Sequence, residues 1–340
     1  MKIGVFDHLD ASGRALDTCF NERLAMLARY DAAGLYGYHL AEHHATPLGI
    51  APSPSVFLAA AAQHTRQLRL GPTVFCLPLY HPVRLFEEIC MLDQLSGGRF
   101  QFGIGRGISP IEAGYYGLAA DELPKMFEEG LDLILAALAG GEGGELTHKG
   151  TYYNVAGMPL ELWPVQRPHP PLWYGIVRPD RVDWLAARSV NLLSNRPADA
   201  VKPITDAYRA AWAKTGRAAA DLPLMGITRH LVLAETDAKA LAVAERAYQP
   251  WRHAFFKLWE KHGAAPVGVV LPETYAGAVE LGIAHAGSPD TVLAALTDDL
   301  TRAGATYAVL RFVFGDMSAA EMERSFGLFE QHLQPAIEAL

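Results

Sequence analysis

Short apolar stretches alternate with longer amphipathic segments along most of this chain. Eight of the short stretches are rich in β-branched and aromatic residues, which is typical of buried strands. They are Ile3–Phe6, Tyr36–Ala41, Leu68–Leu77, Arg99–Ile104, Leu172–Val177, Asn191–Asn195, Gly226–Ala234 and Thr306–Val313. The longer segments have helical spacing and are Phe20–Ala33, Ser55–His64, Val83–Leu95, Asp121–Ala139, Pro179–Ser189, Asp199–Thr215, Ser288–Gly304 and Ser318 to the end.

This repeated order of strand and helix predicts an α/β fold in which crossover helices connect parallel strands. Right-handed crossovers leave two main closures, an open doubly wound sheet or a closed (β/α)₈ TIM barrel. Eight consecutive units favour the barrel. A chain of 340 residues is long enough to form it as a single domain over residues 1–340.

Two stretches interrupt this order. Residues 140–171 are rich in Gly and Pro and too long for a plain loop, so we expect a short hairpin around Tyr152 and Tyr153. A second excursion, at about residues 250–287, is an insertion after strand seven, on the face where barrels keep their active sites. Its aromatic residues, among them Trp251 and Phe255, indicate either a packed helix or a mobile lid over a pocket.

Composition narrows the classes of function. Half of the residues are hydrophobic and 10% are aromatic, which excludes a disordered chain. The formal net charge of −8 argues against nucleic acid as a partner. The chain has three cysteines and no C-x-x-C pair, and its start is too short and acidic for a signal peptide. Its longest apolar run is only about Val56–Ala62, so we expect a reduced, cytoplasmic protein without a membrane span.

The first candidate site follows the second strand, because barrel enzymes carry their catalytic groups where strands end. Glu42, His43 and His44 lie there. A carboxylate beside two imidazoles suits a general base or cofactor contact, structural hydrogen bonding or, least well, a metal. Adjacent residues of an extended segment point to opposite sides, so we expect at most one of these histidines in the pocket and no metal site.

Glycine and arginine mark the ends of two further strands. The run Gly103–Gly107 contains Arg106, and it is not a dinucleotide fingerprint because Ile108 stands where the last glycine is needed. It indicates either a ring or phosphate close to the backbone, with Arg106 as donor, or a tight corner of the barrel. Arg178 and Arg181 open a predicted helix, where they favour a phosphate site unless they pair with local acids.

Two other polar residues are assigned to the protein interior. Cys76 has no neighbouring base in the sequence, so we expect a buried structural thiol rather than a reactive one. His230 lies within the seventh predicted strand, where a core histidine with satisfied hydrogen bonds is the expected state.

Taken together, several of these segments resemble the luciferase-like monooxygenases. The resemblance rests on Ala41-Glu42-His43-His44, on Leu92-Asp93-Gln94-Leu95-Ser96-Gly97-Gly98-Arg99-Phe100 and on Phe102-Gly103-Ile104-Gly105-Arg106-Gly107. It is dense over residues 1 to about 117 and looser through Arg188. It recovers at Gly287-Ser288-Pro289 and from Ser325 to Pro335.

The resemblance implies a (β/α)₈ barrel, usually dimeric, that binds flavin mononucleotide (FMN) at the carboxyl ends of its strands. The flavin would be delivered in its reduced form by a separate NAD(P)H-dependent flavin reductase. It would react with O₂ through a C4a-hydroperoxide to oxidise a small, apolar organic substrate. His43 matches the family's catalytic histidine and Arg106 a phosphate-binding arginine, while Thr73 and Val74 match a non-proline cis peptide beneath the flavin ring.

The cofactor contacts expected from the resemblance are Glu42, Thr73, Val74, Gly105, Arg106, Val177, Arg178 and Arg181. Gly105 stands where the luciferase α subunit has a reactive cysteine, so no thiol chemistry is expected. Val177, Arg178 and Arg181 stand where that subunit has other phosphate contacts. The expected substrate pocket contains Phe6, His44, Phe75, Trp251 and Phe255.

Two rival functions remain open at this point. A dehydrogenase or reductase of the same fold would use a deazaflavin and hydride transfer without O₂. A flavin-binding relative would carry out no catalysis, although the intact Glu42-His43-His44 run argues against it.

Overall fold

The computed structural model describes residues 1–11, 13–266 and 270–340. Its strands are β1 Lys2–Asp7, β2 Gly37–Leu40, β3 Arg69–Pro72, β4 Phe75–Cys76, β5 Phe102–Gly105, β6 Glu145–Lys149, β7 Asn154–Pro159, β8 Leu172–Gly175, β9 Asn191–Ser194, β10 Met225–Leu233, β11 Ala284–Gly287 and β12 Tyr307–Arg311. Its α-helices are α1 Leu16–Ala32, α2 Pro54–His64, α3 Pro82–Ser96, α4 Pro110–Tyr115, α5 Leu123–Gly140, α6 Val182–Ala187, α7 Ala198–Lys214, α8 Asp237–Lys261, α9 Tyr275–Glu280, α10 Pro289–Ala303, α11 Ala319–Leu328 and α12 Gln334–Glu338.

Parallel pairing arranges the main strands as a nearly closed barrel, in the order β3-β2-β1-β12-β10-β9-β8-β5-β4. β4 follows β3 directly in the chain and pairs with β5. An isolated bridge between Leu70 and Phe100 links the two ends of the order. Within the described residues the strands therefore occupy eight positions, which confirms the predicted (β/α)₈ TIM barrel.

The third barrel strand differs from the expectation. A single strand was predicted over Leu68–Leu77, but a cis peptide between Thr73 and Val74 divides it into β3 and β4. The ladder between β2 and β3 ends at Pro72, and the pairing with β5 starts at Phe75. The two halves therefore pair with different neighbours, β3 with β2 and β4 with β5.

The two predicted excursions are both present. β6 and β7 form an antiparallel hairpin within 140–171, and Tyr152 and Tyr153 lie at its tip, as expected. After β10, the seventh barrel strand, the insertion begins with the long helix α8, which confirms a packed helix over the aromatic residues. The same insertion contains α9 and β11, and β11 pairs with the carboxyl-terminal half of β10. Residues 267–269 of this excursion lie outside the described residues.

Helix ends account for most of the remaining differences. The helix predicted over Pro179–Ser189 begins with a 3₁₀ turn, and α6 itself starts at Val182. The helix predicted from Ser318 contains one π turn, Phe329–Leu333, between α11 and α12. None of the described helices is long and apolar enough to cross a bilayer.

Side chains along the barrel strands alternate between two buried layers. The outer layer lies between the strands and the helices and contains most of the apolar core. The inner layer lies within the barrel, where Trp173, Leu193, Tyr307 and Val309 form a small cluster. Next to this cluster the inner layer becomes polar, since the ring nitrogens of His39 lie 2.9 Å from Thr73 Oγ1 and 3.0 Å from Tyr307 Oη.

Candidate active site

A histidine–glutamate pair lies at the barrel mouth, the end formed by the carboxyl termini of the strands. His43 follows β2, and its Nδ1 lies 3.1 Å from Oε1 of Glu112 on α4. Glu112 is buried, and its second oxygen accepts the backbone N–H of His44 at 2.9 Å. A carboxylate accepts hydrogen bonds, so the neutral ring of His43 donates an Nδ1–H hydrogen bond to it. Nε2 then keeps a lone pair that can accept a proton.

Sequence reasoning missed Glu112, although a local signal was present. Ser109 caps α4, and its hydroxyl accepts the backbone N–H of Glu112. A serine followed by an acid three residues later is a helix-start pattern, and here it follows directly after the glycine-rich end of β5. The cap therefore begins a short helix that places the carboxylate against the segment after β2.

Glu42 and His44 form a second network behind this pair. The Glu42 carboxylate is fully buried and accepts hydrogen bonds from His44 Nε2 at 2.8 Å, the Cys76 amide at 3.1 Å and the Tyr80 hydroxyl at 2.8 Å. The Tyr116 hydroxyl lies 2.8 Å from Nδ1 of His44. Both residues are thus turned toward protein groups, where they hold the segment after the cis peptide in place.

The thiol of Cys76 is buried beside this network. Burial, together with the neighbouring carboxylates of Glu42 and Glu112, raises its pKa well above the usual range, so the unreactive thiol dominates. In the parts of the chain that the structure describes, His, Cys, Asp and Glu side chains form no cluster of three or more suited to a metal ion.

Glycine allows the backbone of β5 to lie close to the cis peptide. A Cβ atom on Gly105 would lie only 2.3 Å from Cγ2 of Val74, so only glycine fits at this position. Val74 itself is partly exposed. Thr73, Val74 and Gly105 together form a region of backbone without long side chains, of which Val74 is the partly exposed member, and we call this region the ledge.

The three candidate phosphate-binding arginines differ in their availability. Arg106 follows the ledge, is exposed, and has no ion-pair or hydrogen-bond partner among the described residues. Arg178 is also exposed, with 77% of its side chain accessible, and its ion pair with Asp180, a local acid, is long at 3.9 Å. Arg181, by contrast, forms an ion pair with Glu128 at 2.8 Å and packs against Trp184. Arg106 and Arg178 are therefore available for an anion, and Arg181 is engaged.

Two adjoining openings at the mouth share His43 and Glu112. One, of about 300 Å³, is lined on the α8 side by Phe255, Leu258 and Trp259. The other, of about 250 Å³, extends from His43 to Arg106. The structure thus brings the predicted catalytic histidine, the predicted phosphate-binding arginine and the aromatic residues of the insertion to one site.

The remaining predicted residues are distributed around this site. Phe255 lines the larger opening, whereas Trp251 is buried and its indole N–H lies 3.3 Å from Nδ1 of His8. Phe6 packs against the inner layer and is partly exposed. Val177 is exposed next to Arg178.

Phe75 does not lie where a pocket residue was expected. It is fully buried in the core and packs against the rings of Phe100 and Phe102. Because the strand alternates its side chains, Phe75 faces the outer layer while the neighbouring Val74 remains partly exposed.

The comparisons with known proteins agree with this fold. The family model for luciferase-like monooxygenases matches residues 1–307, so the chain belongs to the luciferase-like monooxygenase family. It is accordingly a flavin-dependent oxidoreductase, as the resemblance predicted.

Relatives are found at two levels of similarity. The uncharacterized protein y4wF of Sinorhizobium fredii is 41% identical over 317 residues, which are 93% of this chain and 92% of that protein. The oxygenase component of a flavin-dependent trigonelline monooxygenase from Acinetobacter baylyi is 25% identical over 194 residues, covering 56% of this chain and 53% of its own.

Two solved structures superpose on almost the whole chain. The monooxygenase RslO1 from Streptomyces bottropensis has a TM-score of 0.87 at 25% identity and 99% coverage of both chains. The oxygenating constituent of 3,6-diketocamphane monooxygenase from Pseudomonas putida, a type II Baeyer-Villiger enzyme in complex with FMN, has a TM-score of 0.79 at 21% identity and 98% coverage of both. At 21% identity, the match to the 3,6-diketocamphane enzyme establishes a shared fold and nothing more.

Proposed function

We propose that this protein is the oxygenase component of a two-component monooxygenase that uses reduced FMN and O₂ to oxidise a small, largely apolar organic substrate. The observation that carries the proposal is that the unpaired Arg106 and the His43–Glu112 pair line one opening, and that Arg106 directly follows Gly105 of the ledge. FMN in the 3,6-diketocamphane enzyme and the separate oxygenase component of the trigonelline enzyme support the cofactor and the two-component organisation.

The residues present fit a flavin phosphate and ring. Arg106 and Arg178 extend from the ends of the neighbouring strands β5 and β8, where two guanidinium groups can bind one phosphate. The ledge offers backbone and small side chains to a planar ring, while Glu42 positions the segment that forms it. When bound, reduced FMN supplies the two electrons that activate O₂.

His43 is assigned the transfer of a proton at the reacting centre. Its Nε2 can accept a proton, and the buried Glu112 carboxylate on Nδ1 stabilises the resulting cation and fixes the orientation of the ring. The side chains of Phe255, Leu258 and Trp259 line the adjoining opening, which shares His43 and Glu112 with this one. They exclude water from the reacting groups, which an oxygenase needs to avoid release of H₂O₂.

The phosphate assignment is tested by comparing FMN with riboflavin, which lacks the phosphate. We expect the wild-type protein to bind FMN more tightly than riboflavin, and Arg106→Ala to remove most of this preference. A charge-assisted hydrogen bond contributes about 1.5–3 kcal/mol, so FMN binding should weaken about tenfold to a hundredfold. Arg84→Ala, which changes an exposed arginine of α3 paired with Glu88, is the matched control. Equal binding of the two flavins by the wild type contradicts the assignment, and preferential binding of a deazaflavin favours the rival reductase.

The role of His43 is tested on the bound reduced flavin. We expect His43→Gln to change the rate and pH dependence of reoxidation by O₂ while leaving the Kd for FMN within about threefold of the wild type. Glu112→Gln should give a smaller change in the same direction, because it removes the group that orients the imidazole. Identical pH profiles for the three proteins contradict proton transfer by His43.

The partners follow from the same proposal. An NAD(P)H-dependent flavin reductase supplies the reduced FMN, and adding one should allow NAD(P)H to drive O₂ uptake. We further propose a homodimer, because Val56 on α2 and Met91 and Leu95 on α3 are exposed apolar side chains on adjacent helices. Sedimentation of the wild type and of Met91→Glu tests this assembly, and a wild-type monomer contradicts it.

A further inference from the structure

One buried arginine of the barrel interior lacks a carboxylate partner. Arg311, at the end of β12, is 7% exposed and forms no ion pair with a described acid. Burial lowers its pKa to about 10, so it stays protonated at neutral pH. Asp7 and Asp10 favour this charge from farther away, but both carboxylates bind Arg23, at 2.9 and 3.6 Å.

The hydrogen bonds around Arg311 leave two donors unused. Its Nη1 donates to Nε2 of His230, which requires the proton of that histidine to be on Nδ1. Burial, followed by the charge of Arg311, lowers the pKa of His230 well below the usual range, so the ring is neutral. Arg311 Nε and His230 Nδ1 are both buried and have no acceptor among the described residues. His230 is therefore a buried histidine, as predicted, but its hydrogen bonds are not satisfied.

The position of Arg311 connects it with the barrel mouth. Its guanidinium lies 4.9 Å from the ring centre of Phe6 and 5.2 Å from that of Trp251. Phe6 packs in the inner layer, is partly exposed, and is the second-last residue of β1, which places it near the mouth. The indole N–H of Trp251 reaches His8, and the ring of His8 lies 5.5 Å from that of His43.

The ledge and Arg311 lie on different sides of the barrel. β12 is four positions away from β5 in the strand order and pairs with β1 and β10. A cofactor on the ledge therefore leaves the β10–β12 side to the substrate. This step rests on the proposed function.

We propose that Arg311 is the anion-binding residue of the substrate pocket, and that the substrate carries a carboxylate on an apolar body. The guanidinium fork matches a planar carboxylate. A buried cation with an unused Nε–H donor is costly without an acceptor, and a carboxylate supplies both the opposite charge and the acceptor. Phe6 and Trp251 contact the apolar part of the ligand next to the charge.

The proposal is tested by direct binding, with and without FMN. Octanoate, benzoate and cinnamate, each paired with its uncharged amide, are titrated calorimetrically into the wild-type protein, with inorganic phosphate as a further anion. We expect at least one carboxylate to bind ten times more tightly than its amide. Arg311→Met should abolish this preference, whereas Arg106→Met should retain it and lose only the preference for FMN over riboflavin.

The outcomes separate this inference from the proposed function. If no carboxylate binds more tightly than its amide, or if Arg311→Met keeps the preference, the inference is overturned. The inference is also overturned if Arg311→Met weakens the binding of FMN but not that of carboxylates. Binding of phosphate, but not of carboxylates, at Arg311 overturns it as well. Should the Met variant fail to fold, Arg311→Lys, which keeps the charge but loses the fork, is expected to reduce the preference without abolishing it, and an unchanged preference overturns the inference. A wild type that binds carboxylates but no flavin overturns only the proposed function.

Discussion

Arg229 and Arg311 stand on the neighbouring strands β10 and β12, yet their charges have different surroundings. The side chain of Arg229 is 0% exposed in the outer layer, and its Nη2 lies 3.1 Å from Oδ1 of Asp299. Asp299 also lies 3.3 Å from Nε2 of His285. Arg311, in the inner layer, binds only the neutral ring of His230 among the described residues.

This difference separates stability from function within one barrel. Burial alone would raise the pKa of Asp299, but the hydrogen bonds from His285 and Arg229 lower it, so the carboxylate stays charged beside its partners. The outer layer thus neutralises its charges internally and fixes strands to helices. The inner layer keeps a cation and unused donors for a ligand, as functional sites often do.

The largest effect on the free energy of unfolding is expected from breaking the ion pair between Arg229 and Asp299 in the outer layer. Asp299→Asn leaves the cation of Arg229 buried without a carboxylate, and removing one partner of such a pair costs about 3–5 kcal/mol. Urea unfolding at pH 7 measures this loss. Asp206→Asn, which removes an exposed partner of Lys202, is the control and should change stability by less than about 1 kcal/mol. Equal effects of both substitutions would contradict the assignment of stability to the outer layer.

The inner layer should instead respond to acid. Burial lowers the pKa of His39 to about 3, whereas the unfolded chain titrates near the ordinary value of 6.5. The unfolded state therefore binds a proton that the folded state excludes, and stability falls as the pH decreases from about 6.5 towards 3. In this range, His39 alone lowers the free energy of unfolding by about 1.4 kcal/mol for each pH unit of acidification.

Unfolding of wild type and His39→Gln at pH 7, 6, 5 and 4 measures this contribution. We expect the wild type to lose about 3 kcal/mol more than the variant over this range, because glutamine does not titrate. His64→Gln, at an exposed histidine on α2, should leave the wild-type slope unchanged. Parallel curves for wild type and His39→Gln would show that the inner layer does not exclude the proton.

The ledge allows a smaller, local test on the opposite side of the inner layer. Gly105→Ala places a methyl group 2.3 Å from Val74, and such overpacking costs about 1–3 kcal/mol. We expect the Kd for FMN to rise more than tenfold as Val74 is displaced. Gly175→Ala on the neighbouring strand β8 is a close control, because a Cβ there meets nothing within 4 Å. If both alanine variants bind FMN like the wild type, the ledge does not hold the ring.

The sequence predicts the barrel well because strand and helix periodicities repeat eight times along the chain. The family resemblance additionally placed the cis peptide at Thr73–Val74, which composition and periodicity did not reveal. Glu112 was missed because its helix has only six residues, too few for a periodic signal. Neither the outward turn of Phe75 nor the unpaired charge of Arg311 could be predicted, because both depend on strand register.

The smallest effect on stability is expected from Arg311→Met. This substitution also tests the difference between Arg229 in the outer layer and Arg311 in the inner layer most directly. Replacing an unpaired buried cation with an apolar side chain removes a desolvation cost, and this gain offsets the lost hydrogen bond to His230. The free energy of unfolding should therefore change by less than about 1 kcal/mol. The same substitution at Arg229 should cost about 3–5 kcal/mol, since it leaves Asp299 buried without the cation. Urea unfolding of both variants at pH 7 measures the two effects. A loss of 3 kcal/mol or more at Arg311 would mean that Asp7 and Asp10 already neutralise it, and the inner layer would then be built for stability as the outer layer is.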